Sequence, residues 1–129
     1  MSTLESALLA KADAALEQAD LLLKAGHPDG AADRCYYAMF HAASALLASK
    51  GLQYTSHRAV LSAVGKELVQ PGLLAPKHHR AILDAFDMRQ TADYDVQADL
   101  DIENVEQAYA EAREFATVVR AALGRRAGA

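Results

Sequence analysis

Glycine and proline are placed in this chain like punctuation. Neither occurs from Met1 to Ala25, from Ala31 to Lys50, or from Lys77 to Leu123. The uninterrupted stretches are rich in Ala and Leu and poor in β-branched clusters, and none alternates apolar with polar residues as a half-buried strand would. An all-helical fold follows. The 129 residues suit one domain that buries about two-thirds of the surface its unfolded form exposes. A hydrophobic content of 52% against 23% charged residues is a globular balance with no disordered segment inside it.

The punctuation sets the helices. A first runs from about Thr3 to Ala25, with Leu9, Leu16 and Leu23 recurring seven apart, and Gly26 followed by Pro28 stops it. A second runs from near Asp29 to Gly51 with an apolar stripe of Tyr36, Phe40, Ala43 and Leu47. Arg34, Tyr37 and His41 fall within about 60° of one another on its other face. Ser56 caps a shorter third helix from about His57 to Gln70, ended by Pro71-Gly72. Pro76 opens a fourth, PKHHRAILDAFDMRQTADY. The last starts after Asp99 or Asp101, buries Val105, Ala108, Ala112, Phe115 and Val119, and ends at Gly124. This predicts an antiparallel up-and-down four-helix bundle with one additional short helix over residues 1–124, and a fraying tail over 125–129.

No apolar run is long enough to span a bilayer, and the amino end carries acidic residues where a secretory signal needs basic ones, so a soluble cytoplasmic protein with no membrane contact is expected. Cys35 is the only cysteine, which excludes an internal disulfide and a multi-cysteine metal site and suits a small core residue. The net charge of -4 argues against the uniformly basic surface of a duplex-DNA binder. It is unevenly spread. Asp84 to Glu111 holds nine acidic residues and one basic, whereas Arg58 to Arg80 holds four basic residues, one acidic and the pair His78 and His79. That basic segment leaves room for a polyanion to bind locally.

Ile82, Phe86, Arg89 and Asp93 are spaced i, i+4, i+7 and i+11, the rhythm of a single buried stripe. Arg89 therefore stands where Leu is expected. An unpaired buried guanidinium is too costly, so Arg89 must meet a carboxylate, a phosphate or a water-filled cleft. Asp93 is one turn away, but Arg before Asp is the weaker order for a surface pair, worth a few tenths of a kcal/mol.

The segments RCYYAMFHAASALL (Arg34 to Leu47), entered through ADR, then SHRAV, then MRQTADYD, resemble the HEPN domain family. The likeness is to its compact prokaryotic branch, often found beside a minimal nucleotidyltransferase, and spans about Ala31 to Leu123. It implies a helical bundle pairing as a homodimer, a cleft of polar residues, and in many members metal-independent RNA cleavage by a toxin neutralised by a nucleotidyltransferase antitoxin. The family's nuclease signature is an Arg followed four to six residues later by His. Arg89 matches, but Asp93, Tyr94 and Asp95 hold the following places. Catalysis on this pattern then requires His41 or His57 to enter the cleft from another helix.

Metal-free RNA cleavage needs a base for the 2′-hydroxyl proton, an acid for the leaving oxygen and a cation against the charged transition state. The candidates are Arg89, His41, His57 and Tyr94 for catalysis, and Arg34, Tyr37, Arg89 and Asp93 for holding a nucleotide or phosphate, with no metal and no cofactor. The plainer alternatives are a satisfied core histidine, packing tyrosines with tethered hydroxyls, and an Arg89–Asp93 pair that only fixes helix register. The resemblance also suggests Tyr94 as a target of nucleotidyl transfer. A noncatalytic module binding a nucleotide or the partner protein is the competing function. His78 and His79, diverging by about 100° around a helix, read as surface residues. The acidic run DYDVQADLDIE lacks the Gly and the Glu spacing of a calcium loop and reads as helix-capping charge.

Overall fold

A computed structural model describes residues 1–97 and 99–128. Ala98 inside the acidic run and Ala129 at the end of the expected tail lie outside the described residues. Among the described residues every regular element is helical: α1 (Thr3–Lys24), α2 (Pro28–Ser49), α3 (His57–Ala63) continued by a π-helical turn (Val64–Val69), α4 (Pro76–Tyr94) and α5 (Ile102–Ala127).

The boundaries follow local chemistry. Ser2, Ser56 and Asp101 accept from backbone amides of the first turns of α1, α3 and α5, filling donors that a helix start leaves orphaned. Prolines open α2 and α4, where a missing amide costs nothing. Gly26 and Gly51, at φ 81° and 75°, let the chain leave α1 and α2 in the left-handed region. The last helix continues past Gly124 to Ala127, where Arg126 bonds Ser49 Oγ at 2.8 Å and the Ser49 carbonyl at 3.2 Å. These bonds supply acceptors at the end of α2 that a reading by periodicity could not see.

The four long helices run up and down. The short α1–α2 turn makes that pair antiparallel; Arg89 late in α4 meets Asp33 early in α2; Arg126 at the end of α5 meets Ser49 at the end of α2. The central helix is α2, packed against the other three and carrying eleven buried residues, among them Ala38, Ala42, Ala45 and Leu46. On α1 the seam is Leu9, Ala12, Ala15 and Ala19, while Leu16 and Leu23 of the heptad pattern are half-buried at its flanks. Alanine takes the centre because it allows the closest approach of two helix backbones. On α5 the expected Val105, Ala108, Ala112, Phe115 and Val119 are all buried. Cys35 is fully buried, and burial pushes its thiol up to about 12.

The two adjacent histidines are not surface residues. His78 is 5% exposed and packs edge-on against Phe115, because it begins the stripe His78, Ala81, Ile82, Ala85 that α4 turns inward. His79 is half-buried and its Nε2 lies 3.0 Å from the Leu61 carbonyl. It reaches α3 across Gly65, where an added Cβ would stand 2.7 Å from its Cε1. Glycine in the π-helical turn thus leaves room for the His79 ring to reach the α3 segment.

Candidate functional site

The inward stripe of α4 emerges gradually. Ile82 is fully buried, Phe86 half-buried, the Arg89 side chain 21% exposed and that of Asp93 41% exposed. Arg89 therefore sits at the lip of the core, facing α2. Its Nε donates to Asp33 Oδ1 at 2.9 Å, with Asp93 farther off at 3.7 Å. Burial works against the guanidinium's charge, but the bond to Asp33 and the nearby Tyr37, Asp33 and Asp93 outweigh it and raise its pKa. Among the described residues no side-chain or backbone oxygen bonds its terminal Nη groups, which lie over aromatic faces: the guanidinium carbon is 5.1 Å from the Tyr37 ring centre and 5.7 Å from that of Tyr36.

Arg34 is used differently. Its Nε and Nη2 grip the other Asp33 oxygen at 3.1 and 2.8 Å, and its Nη1 donates to Gln18 on α1 at 3.2 Å. Every nitrogen is engaged, and its guanidinium also lies over Tyr37, 5.0 Å from the ring centre. Asp33 is thus one carboxylate bridging two arginines, one bonded through all three of its nitrogens and one through Nε alone.

His57 enters this group from the first turn of α3. Its Nδ1 lies 2.7 Å from the hydroxyl of Tyr36, a fully buried residue. Burial, and then the charge of Tyr37, raise the Tyr36 phenol well above its ordinary range, so it keeps its proton near neutrality. When that proton is donated to Nδ1, the imidazole carries its own on Nε2; the reverse bond leaves Nε2 an acceptor. Burial first, and then the Arg89 charge, lower the His57 pKa. A neutral imidazole at neutral pH is the form a general base needs. Phe40, at 4.7 Å between ring centres, and Phe86, at 6.5 Å, wall the ring.

The structure brings Arg34, Tyr37, Arg89, Asp93 and His57 into one cluster where α2, α3 and α4 meet. His41 adjoins it through Tyr37, at 5.8 Å between ring centres, and its pKa is lowered by burial and then by Lys11 and Arg34. Tyr94 is 80% exposed at the end of α4, five residues and about 140° around the helix from Arg89, and no hydrogen bond or ring contact ties it to the others. The sequence reasoning missed Asp33 as the common acceptor and Tyr36 as the partner of His57. The available signal was spacing: Asp33, Tyr36, Tyr37 and Phe40 fall at i, i+3, i+4 and i+7, so a carboxylate shares the aromatic face.

Beside the cluster, a groove of about 610 Å³ runs between the α3 segment and α4. Among the described residues, Arg58 and Lys66 line it with positive charge against the single carboxylate of Asp87, His79 also lines it, and Phe86 joins it to His57. Arg58 and Lys66 make no ion pair among the described residues. Of the other basic residues in that segment, Lys77 turns away to bond Glu114 at 2.7 Å. Among the described residues no helix is long and apolar enough to cross a membrane.

A family model described as HEPN domain matches residues 6–122. The chain is 36% identical over 100 residues to a "UPF0332 protein" of Thermotoga maritima, covering 78% of this chain and 76% of that protein. Two proteins of Methanocaldococcus jannaschii are also similar. One, named "Putative toxin MJ0142", is 34% identical over 99 residues, 77% of this chain and 67% of its own length. The other, named "Putative toxin MJ0605", is 32% identical over 117 residues, 91% of this chain and 87% of its own length. With nearly the whole bundle matched, the chain belongs to the HEPN domain family.

Proposed function

We propose that this protein is a metal-independent endoribonuclease of the toxin type, acting as a homodimer and neutralised by a partner nucleotidyltransferase. The observation that supports the reading is the division of labour on Asp33: it fixes the Arg89 guanidinium through Nε and leaves the Nη donors, among the described residues, without a protein oxygen, near a His57 whose pKa is lowered. A guanidinium so held is pre-set to meet the extra negative charge that develops on a phosphate in the transition state. In the step envisaged, the 2′-hydroxyl gives its proton to an imidazole, its oxygen attacks phosphorus, and the P–O5′ bond breaks. The products are a 2′,3′-cyclic phosphate and a 5′-hydroxyl that has taken up a proton. His57 is the base, His41 in its protonated form the acid, and Arg34 and Tyr37 hold the nucleotide with Arg89 and Asp93. The groove of Arg58, Lys66 and His79 provides a path for the rest of the polyanion. Two relatives carry the word toxin in their names, which supports the same reading. Exposed Tyr94, Val96 and Ile102 at the α4–α5 corner offer apolar surface near the site for a second copy.

Purified protein incubated with total transfer RNA in EDTA tests it. Wild type is expected to cleave, leaving cyclic phosphate ends, and Arg89→Ala and His57→Ala to lose about 100-fold or more. Growth arrest on expression should vanish with Arg89→Ala. RNA left equally intact by wild type and variants would transfer the site to the second reading, a noncatalytic HEPN module binding a nucleotide or the partner. That reading is favoured by one observation: no histidine stands four to six residues after Arg89.

A further inference from the structure

A second cavity, of about 230 Å³, opens where the start of α1, the last turns of α2 and the α2–α3 connection meet. It borders the arginine cluster through two shared side chains, Phe40 and His41. The stripe Leu4, Leu8, Lys11 on α1 does not coincide with the buried seam of Leu9, Ala12, Ala15 and Ala19, so it borders the bundle rather than filling it. Leu8, Leu47, Leu52 and Val60 give the cavity an apolar floor. Its polar lining is Lys11, His41, Ser44, Gln53 and Tyr54, and no acidic residue is among the described residues that line it. Among the described residues Lys11 forms no ion pair and His41 no hydrogen bond.

The size narrows the occupant. A dry cavity of about 150 Å³ holds a benzene ring, and drug-sized ligands take about 300 to 1,000 Å³. A space between these limits fits one substituted ring or a medium-length chain. The charge narrows it again, because an ammonium with no ion-pair partner among the described residues, beside an imidazole and above apolar walls, favours a compact anion at one end of an otherwise apolar molecule.

We propose that this cavity is a binding site for a small apolar carboxylic acid, with its chain or ring among Leu8, Leu47, Leu52 and Val60 and its carboxylate on Lys11 and His41. The occupant touches His41 and Phe40, whose ring packs 4.7 Å from His57, so binding reaches the arginine cluster through both shared side chains. The proposal stands whether or not the protein cleaves RNA.

Octanoate and benzoate are the probes, with octanol and benzyl alcohol as uncharged matches, titrated into isotope-labelled full-length protein by NMR. Saturable binding of the acids is expected, with the largest shifts at Lys11, His41 and Tyr54 and smaller ones at His57. Lys11→Met, a change at an exposed position, should weaken the acids by about tenfold and leave the alcohols unchanged, since one charge-assisted bond is lost. Leu8→Trp, which fills the space, should abolish both. The proposal is overturned if no probe saturates, if the alcohols bind as tightly as the acids, or if the shifts map to another surface.

Discussion

The two sides of α2 solve opposite packing problems. Toward α1 the seam is methyl-sized: Ala12, Ala15 and Ala19 let two backbones approach closely, with the one charged bond among the described residues, Arg34 to Gln18, at its edge. Toward α3 and α4 the space is filled with rings, Tyr36, Tyr37, Phe40, His57 and Phe86, and the outer edge is sealed by Asp33 between two arginines. The first arrangement tolerates nothing larger. The second needs every polar atom matched, and the atoms it leaves unmatched are the donors of Arg89. A bundle that only had to be stable could have used the first device twice. The contrast marks the α2–α3–α4 side as the one shaped for something besides stability.

Substitutions can break the comparison in order of size. Tyr36→Ala empties the centre of the ring cluster and removes the partner of His57, so a loss of about 3–5 kcal/mol in urea unfolding is expected. Should it unfold at nearly the wild-type midpoint, the cluster is not a packed unit. Ala15→Leu on the other side overpacks the close seam and should cost about 1–3 kcal/mol. A neutral result there would mean that α1 rides loosely on α2.

A pH series sharpens the same contrast with a smaller effect. His41, His57 and His78 all have pKa values lowered from 6.5, with burial the largest cause in each. As pH falls through 6.5 the unfolded chain takes up protons before the folded one, so this stability is full above 6.5 and drains away toward the lower folded values. Thermal midpoints should fall between pH 7.5 and 5. His57→Gln removes the part due to the ring cluster, and His78→Gln the part due to the bundle core; an unchanged slope in both would deny that these histidines are held neutral by burial. The smallest effect belongs to Arg120→Gln. Its bonds to Asp13 at 2.9 and 2.6 Å join two well-exposed side chains, and its loss should cost under about 1 kcal/mol.

The fold was legible because helix formation is written locally. Glycines, prolines and capping residues at Ser56, Pro76 and Asp101 placed the ends, and the period of apolar residues placed the inner face of α5. Periodicity does not choose among residues of similar spacing: His78 begins the buried stripe that includes Ile82, and on α1 Ala12, Ala15 and Ala19 share the seam with Leu9 while Leu16 and Leu23 flank it.

By itself, then, the sequence determined an all-helical bundle, the approximate limits of its helices, and the demand that Arg89 find a negative partner or a cleft, since an unpaired guanidinium cannot be buried. Only the tertiary structure decided which partner it takes. Asp33 lies far away along the chain, and no local period couples α2 to α4; their meeting depends on how the rings of Tyr36, Phe40 and Phe86 pack between the two helices. Packing of separate elements fixes such distances, and no single stretch of sequence contains them.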